Sequence, residues 1–158
     1  MTNIGVTGHQ LIPAEAIDFA VHGIRNLLTT ASPPLIGISS LAAGADQIFA
    51  NELIAAGGKL HVVVPAAGYE STFSVEDKEH YRDLLASAAD VTHLPFTEPD
   101  EQAYDAAGLW IAERCDLLIA VWDGEPARGL GGTADAVAHA ERLGRTIRIL
   151  WPEGVRRQ

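Results

Sequence analysis

Short runs rich in Val, Ile and Leu alternate with segments of helical periodicity, and this alternation constrains the fold more than any other feature. Six runs are candidate strands, at residues 3–7, 35–39, 60–64, 91–94, 117–122 and 146–151. Most of them are nearly continuously apolar, as expected for strands that are covered on both faces. Strict alternation of strands and helices is typical of a parallel sheet, because parallel strands need long crossover connections.

Start and stop signals place five helices between these strands, beginning near residues 13, 45, 74, 99 and 133. Pro13 is a favoured residue in the first turn of a helix, and Gly57 is typical of a helix end. Ser74 opens the third helix with a variant of the capping box that has Asp77 in the acidic position.

This order of elements predicts an α/β fold, with a Rossmann-like, doubly wound and mainly parallel sheet and helices on both faces. The 158 residues are expected to form a single domain. In such a sheet a ligand lies beyond the carboxyl ends of the strands, where the strand order reverses. We therefore expect the functional residues at that edge.

Three turns rich in small residues follow the first, second and fifth strands and are expected to meet at this edge. Glycine lets a ligand approach the backbone, and the first turn of a helix has amides without partners. Such amides favour a phosphate or carboxylate, although a tight turn without any ligand is the alternative. The residues predicted to bind a ligand are Gly8, His9, Ser39, Ser40, Leu41, Gly44, Ala45, Asp46, Pro65, Asp123, Gly124, Arg128, Gly129, Gly131, Gly132 and Thr133.

The polar groups of these turns each admit two interpretations. The turn at residues 39–46 has two hydroxyls and, around Ala45, amides that are expected to be free for a phosphate or a ribose. Asp46 could accept a hydrogen bond from a ribose or a base amine, or could simply complement the dipole of its helix. His9 could donate to a phosphate or transfer protons, whereas a lone loop histidine usually does neither.

Three carboxylates are candidate catalytic groups if the chain is an enzyme, namely Asp123, Asp135 and Glu70. Asp123 ends a strand at the ligand edge, but it could equally cap its turn. Glu70 lies in the connection at residues 65–71, which is a candidate lid or an ordinary surface loop. The sequence lacks the dinucleotide fingerprint, the P-loop and the G-x-S-x-G nucleophile motif.

Composition narrows the expected partners and the expected compartment. The formal charge of -10 argues against a nucleic-acid polymer, because phosphate backbones are bound by clustered Lys and Arg. Cys115, the single cysteine, rules out an internal disulfide, favours a reducing, cytoplasmic setting and is expected to pack in the core. We expect no membrane span, no secretory signal, no metal site and no cofactor.

The turn at residues 39–46, its following helix and the sequence Val62-Val63-Val64-Pro65 resemble the SLOG superfamily of Rossmann-like domains. That superfamily includes DprA, the LOG phosphoribohydrolases and the molybdenum cofactor carrier proteins. The segment 129–133 resembles the second phosphate-binding signature of the LOG branch. The resemblance implies a Rossmann-like fold, a nucleotide-type ligand and a homodimer that packs through helices. DNA handling of the DprA type is disfavoured by the acidic balance.

The LOG motif P-G-G-x-G-T-x-E-E is only partly present. Gly132 and Thr133 match its G-T pair, but Asp135 replaces the first glutamate and Ala136 replaces the second. Cleavage of a glycosidic bond needs carboxylates to stabilise the transition state and to protonate the leaving group. The resemblance therefore implies phosphate binding more strongly than it implies hydrolysis.

The leading hypothesis is a domain that binds a nucleotide or a nucleotide-derived ligand, as a sensor or a carrier. One alternative is a nucleotide N-glycosidase or related hydrolase that uses the candidate carboxylates. A second alternative is an interaction module whose homodimer face is formed by Leu109, Trp110 and Ile111.

Overall fold

The computed structural model describes residues 1–126 and 129–156, and within them six strands alternate with five α-helices. The strands are β1 (Thr2–Gly8), β2 (Leu35–Ser39), β3 (Lys59–Ala66), β4 (Asp90–Phe96), β5 (Leu117–Val121) and β6 (Thr146–Ile149). The helices are α1 (Ala14–Thr30), α2 (Ala45–Ala55), α3 (Val75–Ala86), α4 (Glu101–Arg114) and α5 (Thr133–Arg142). A short 3₁₀ turn, Tyr69–Thr72, follows β3.

The strands form one parallel sheet in the order β4-β3-β2-β1-β5-β6. The chain runs outward from β1 to β4 and then returns with β5 to the other side of β1. The strand order therefore reverses between β1 and β5, whose last residues, Gly8 and Val121, are paired. A doubly wound sheet has its ligand crevice at this point. The predicted fold class is confirmed.

Apolar side chains pack on both faces of the sheet, as the continuous apolar strands predict. Neighbouring residues of one strand point to opposite faces, so Val62 and Val64 join one core cluster and Val63 joins the other. The larger cluster includes Phe49 and Leu53 of α2, together with buried residues of α1. The smaller cluster includes residues of α4 and α5. The helices therefore cover the sheet from both sides.

The helix starts follow the local capping chemistry. The Ser74 hydroxyl accepts a hydrogen bond from the Asp77 amide at 3.1 Å, which confirms the predicted start of α3. Asp100 caps α4 in the same way, accepting from the Ala103 amide at 3.1 Å. This cap explains why α4 begins at Glu101, two residues after the predicted start at Pro99.

The observed strands differ from the predicted ones by up to three residues, and both edge strands, β4 and β6, are among those that differ. β6 ends at Ile149, whereas the apolar run continues to Trp151, whose indole instead donates to the Val155 carbonyl at 2.6 Å. β4 extends to Phe96 and passes a register shift opposite Val64 and Ala66. An edge strand has a neighbour on one side only, so hydrophobic content predicts its limits poorly.

Cys115 is 1% exposed and belongs to the smaller core cluster, which confirms its predicted packing role. Burial raises the pKa of its thiol. Among the helices of the described residues, none has the length and apolarity needed to cross a membrane.

Candidate functional site

A cavity of about 250 Å³ opens at the carboxyl edge of the sheet. It is bounded by the ends of β1 and β3, the turn after β2, the 3₁₀ turn, α4 and the start of α5. Seven of the predicted ligand-binding residues line it: Gly8, Ser40, Asp46, Pro65, Gly131, Gly132 and Thr133. The structure therefore brings parts of the three predicted turns to one hollow, at the edge where they were expected.

The start of α5 is open towards this cavity. Thr133 is the first helical residue and Gly132 is the N-cap. The first amides of a helix have no partner within the helix, and the Thr133 and Ala134 amides donate to no other group in the described part of the chain. Thr133 is only 8% exposed, and its hydroxyl also makes no hydrogen bond to a described residue. The helix start thus presents several unused donors to the cavity.

The glycine loop before α5 is shaped by protein contacts rather than by an approaching ligand. Gly131 has a φ of +83°, and a Cβ there would lie 2.7 Å from the Glu101 carbonyl oxygen and 2.8 Å from the Asp105 amide. The Gly131 amide donates to the Asp135 carboxylate at 2.8 Å. The packing of the loop on α4 thus requires a glycine at this position. Gly131 also lines the cavity, and its contact with a ligand stays a prediction.

The start of α2 differs, because its donors are used internally. The Ala45 amide donates to the His9 carbonyl at 3.2 Å, so the prediction of a free amide at this position is wrong. The Leu41 amide donates to the Ser39 hydroxyl at 3.0 Å, and that hydroxyl donates to Asp46 at 3.2 Å. The start of α2 is thus closed partly by its own loop and partly by the loop after β1.

Asp46 places a buried carboxyl group at the α2 end of the cavity. Burial raises its pKa to about 7, against the smaller opposing effects of the Ser39 hydroxyl and the backbone amides of Ala42 and Ser40. Near neutral pH the group is thus present in both its protonated and its ionised form. It is the carboxyl group that, among the described residues, lines the cavity.

An aromatic wall, formed by Tyr69, Phe73 and Tyr104, lines the same cavity. Tyr69 packs edge-to-face on Phe73, with ring centroids 5.0 Å apart, and on Tyr104 at 6.2 Å. Tyr69 is 5% exposed, and its hydroxyl forms no hydrogen bond to a described residue. Burial and the nearby Asp46 carboxylate raise the pKa of this phenol. The connection considered as a lid is therefore anchored to the wall by Tyr69.

The predicted catalytic carboxylates lie outside the cavity lining. The Asp123 carboxylate lies 3.2 Å from the His9 imidazole and accepts from the Glu125 amide at 3.0 Å. Asp135 is bonded to the Gly131 amide, and Glu70 forms an exposed ion pair with Arg82. The structure does not bring these three carboxylates together.

Other predicted ligand-binding residues support the walls of the site without lining it. His9 and Asp123 join the ends of β1 and β5, and the His9 ring stands edge-on to Trp151 at 5.5 Å. Arg128 lies outside the described residues. The remaining residues that do not line the cavity are Ser39, Leu41, Gly44, Ala45, Gly124 and Gly129.

The predicted dimer face at residues 109–111 does not exist as a continuous surface. Ile111 is 4% exposed, belongs to the smaller core cluster and lines the cavity. The Trp110 ring is covered by the Arg114 guanidinium, at 3.8 Å from the ring centroid. Leu109 alone is exposed, at 37%. Consecutive helical residues point about 100° apart, so three of them cannot share one face.

No protein-family model and no curated protein sequence matches the chain. Several solved structures are similar to it along most of its length. DprA from Helicobacter pylori is 13% identical, with a TM-score of 0.73, over 99% of this chain and 68% of that one. DprA from Streptococcus pneumoniae is 19% identical, with a TM-score of 0.68, over 94% of this chain and 50% of that one. This chain thus spans half the length of the S. pneumoniae protein.

A molybdenum cofactor binding protein from Rippkaea orientalis is also similar, at 15% identity and a TM-score of 0.61, over 94% of this chain and 75% of that one. These proteins share the SLOG-type arrangement of strands and helices. The chain has the SLOG-type fold. The resemblance seen in the sequence is confirmed at the level of the fold.

One exclusion made from the composition is overturned by the SLOG-type neighbours. The formal charge of -10 predicted that no nucleic-acid polymer is a partner. The H. pylori DprA is described as binding single-stranded DNA. That exclusion is therefore wrong, because net charge describes the whole surface and does not determine which ligands this fold accepts at one edge.

The sequence analysis missed the aromatic wall of this site. Tyr69 carried a signal, because an aromatic residue within a connection rich in small residues, after a strand, lies at the ligand edge. Tyr104 and Gly108 carried none, because they lie on a helix that reaches the cavity only through tertiary packing. Gln10 also lines the cavity, as Gly8 does, whereas the sequence analysis predicted the neighbouring His9 as a ligand-binding residue.

Proposed function

We propose that this chain binds a nucleotide, or another small organic phosphate, in the cavity at the carboxyl edge of its sheet. The phosphate lies at the start of α5, and the organic part lies against the aromatic wall. The observation that carries the proposal is Thr133, a residue that is only 8% exposed, lines the cavity beside free helix amides, and has a hydroxyl with no hydrogen-bond partner among the described residues.

The start of α5 suits an anion for two physical reasons. Its unused amides can each donate a hydrogen bond, and the dipole of the helix places partial positive charge there. The Thr133 hydroxyl has no partner among the described residues and is accessible from the cavity, so a ligand or an ordered water there can take its hydrogen bond. Donors of this kind bind phosphate without a cluster of Lys or Arg.

The rest of the cavity suits the organic part of such a ligand. Tyr69, Phe73 and Tyr104 offer rings, and Ala107 and Ile111 offer aliphatic surface. A volume of about 250 Å³ is close to the lower end, roughly 300 Å³, of the range typical for small-molecule sites. A small-molecule ligand is also supported by two similar structures, which are described as a molybdenum cofactor binding protein and a molybdenum cofactor carrier protein.

A hydrolytic step is not part of the proposal. Glycosidic hydrolysis ordinarily uses two carboxyl groups on either side of the bond that breaks. The candidates Asp123, Asp135 and Glu70 are engaged elsewhere, and the described lining has a single carboxyl group, that of Asp46. We therefore favour a sensor or carrier over the N-glycosidase.

The test is isothermal titration calorimetry with AMP, ribose 5-phosphate and inorganic phosphate. Thr133→Val removes one hydroxyl with little change of shape, and we expect it to weaken AMP binding by about tenfold. Thr146→Val is the matched control, since Thr146 is exposed on the edge strand β6. Absence of binding by all three compounds at millimolar concentration, or equal affinities for both variants, would show that the proposal is wrong.

Single-stranded DNA belongs in the same titration, because a SLOG-type neighbour is described as binding it. A short oligonucleotide that competes with AMP would show that the cavity takes a nucleotide of the polymer. An oligonucleotide that binds without displacing AMP would place the polymer on another surface.

Homodimer formation and a cytoplasmic location stay predictions. Leu109 is the exposed residue of the segment once expected to form a dimer face. Light scattering of the purified chain and of Leu109→Asp measures the mass directly. A monomeric wild-type chain at micromolar concentration would end the dimer prediction.

A further inference from the structure

We infer that the α2 end of the cavity recognises a neutral hydrogen-bond donor of the ligand through Asp46, so that the site accepts a ligand with one anionic end. This inference rests on the proposed function, because it assumes that the phosphate lies at the start of α5. It adds the chemical class of the ligand, which is a monophosphate with a hydroxyl or an amino group at its other end.

The first step is the hydrogen-bond capacity of Asp46. A carboxylate accepts about four hydrogen bonds. The Ser39 hydroxyl takes one position at 3.2 Å, and the amides of Ser40 and Ala42 also interact with this carboxylate. The carboxylate therefore has acceptor capacity left, and Asp46 is a lining residue of the cavity. A hydrogen-bond donor on the ligand can therefore bind to the Asp46 carboxylate.

The second step is the Tyr69 hydroxyl. Tyr69 is 5% exposed and lines the same cavity as Asp46, and its hydroxyl has no hydrogen-bond partner among the described residues. The hydroxyl is not a buried atom, so it is accessible to a ligand. A phenol both donates and accepts, so it can bond to the ligand hydroxyl or amine that Asp46 binds.

The third step is the absence of a compensating cation at this end. The described lining residues include no Lys, Arg or His. A second phosphate placed against Asp46 would meet a like charge in a partly desolvated site, where repulsion is weakly screened. A neutral donor has no such cost. The two ends of the cavity therefore select opposite chemistry, an anion at α5 and a donor at α2.

The experiment compares AMP with analogues that each lack one donor, on the wild-type chain and on Asp46→Asn. IMP lacks the exocyclic amine, 2′-deoxy-AMP and 3′-deoxy-AMP each lack one ribose hydroxyl, and adenosine 3′,5′-bisphosphate carries a second anion. We expect one deoxy or deamino analogue to bind the wild-type chain about tenfold more weakly than AMP, and the bisphosphate to bind more weakly still. The analogue that loses affinity identifies the donor.

In Asp46→Asn the penalty for that analogue should shrink to about twofold or less, and the bisphosphate should bind better than it does to the wild-type chain. Asp18→Asn, an exposed change on α1, should leave all affinities unchanged. Equal affinities of the wild-type chain for AMP and every analogue, the bisphosphate included, would overturn the inference while leaving phosphate binding intact. Because this comparison needs no variant, it holds even if Asp46→Asn does not fold. If AMP itself does not bind, both the inference and the proposed function fail.

Discussion

The starts of α2 and α5 look alike in sequence and differ in the folded chain. Each follows a strand through a turn of small residues, and each has an aspartate in its first turn. At α2 the loop donors and the Asp46 carboxylate satisfy one another, and the Ala45 amide is taken by the His9 carbonyl. At α5 the Asp135 carboxylate accepts a hydrogen bond from the Gly131 amide only. The amide and hydroxyl of Thr133 are therefore left without a partner among the described residues. Whether a helix start can bind an anion thus depends on which other loop reaches it.

The largest expected difference between the starts of α2 and α5 is at Gly44. This residue is the N-cap of α2, and the loop after β1 packs against it. Gly44 has a φ of +80°, and a Cβ would lie 2.4 Å from the Gln10 carbonyl oxygen and 2.5 Å from that of His9. We expect Gly44→Ala to lower the free energy of unfolding by about 4–5 kcal/mol, because backbone strain and a backbone clash add together. Urea unfolding measures the change.

Gly57 is the matched control for that substitution. It has a φ of +81° with nothing within 4 Å of a Cβ, so Gly57→Ala reports the conformational strain alone, about 1 kcal/mol. A loss at Gly44 no larger than the loss at Gly57 would mean that the loop after β1 moves away easily. The α2 start would then be less closed than the structure indicates.

A smaller effect, on the order of 4 kcal/mol, comes from the ionisation of Asp46. Burial raises its pKa from 3.8 to about 7, so between these pH values the folded chain keeps a proton that the unfolded chain releases. Stability from this group is therefore fully present below pH 4, falls as the pH rises to about 7 and is constant above. Asp46→Asn should lack this fall, so its stability relative to the wild-type chain should rise between pH 4 and pH 7.

The measurement is urea unfolding of both chains across that pH range, with Asp18→Asn as an exposed control that follows the wild-type curve. The ionisation is tested by how the difference in free energy of unfolding between the two chains changes with pH. The size of that difference at one pH is no test, because Asn also loses one acceptor for the loop donors. Parallel curves for the wild-type chain and Asp46→Asn would show that the carboxyl group is hydrated, and the α2 end of the cavity would then be open to water.

The same comparison explains how far sequence reasoning reached. Hydrophobic runs and capping residues predicted the order of the strands and helices, because strand burial and helix starts depend on local chemistry that Val62, Ser74 and their neighbours carry. The carboxyl edge followed from the topology. The structure then placed Gly8, Ser40, Asp46 and Thr133 around one cavity at that edge.

What the sequence could not predict is which partner each polar group finds. The Ala45 amide is taken by a carbonyl thirty-six positions away, and Gly131 is required by α4 rather than by a ligand. These contacts join segments that are distant in sequence, and no local pattern records them. The same holds for Tyr104, which lies within α4 and lines the cavity. The spacing of the apolar residues in this helix predicts only that one face packs in the core.

The smallest effect concerns Asp135, which shares the α5 start with the proposed phosphate. Its carboxylate accepts the Gly131 amide at 2.8 Å, and Gly131 lines the cavity. Asp135→Asn should lower the free energy of unfolding by about 1 kcal/mol, since a charge that complements the helix dipole is lost. It should also strengthen AMP binding about threefold, because a like charge beside the phosphate is removed.

Glu76→Gln, in the first turn of α3, removes a comparable charge and should leave AMP affinity unchanged. Calorimetry that finds weaker AMP binding to Asp135→Asn than to Glu76→Gln would instead mean that the carboxylate holds the loop in its binding conformation, and that α5 binds the phosphate less directly than its free donors indicate.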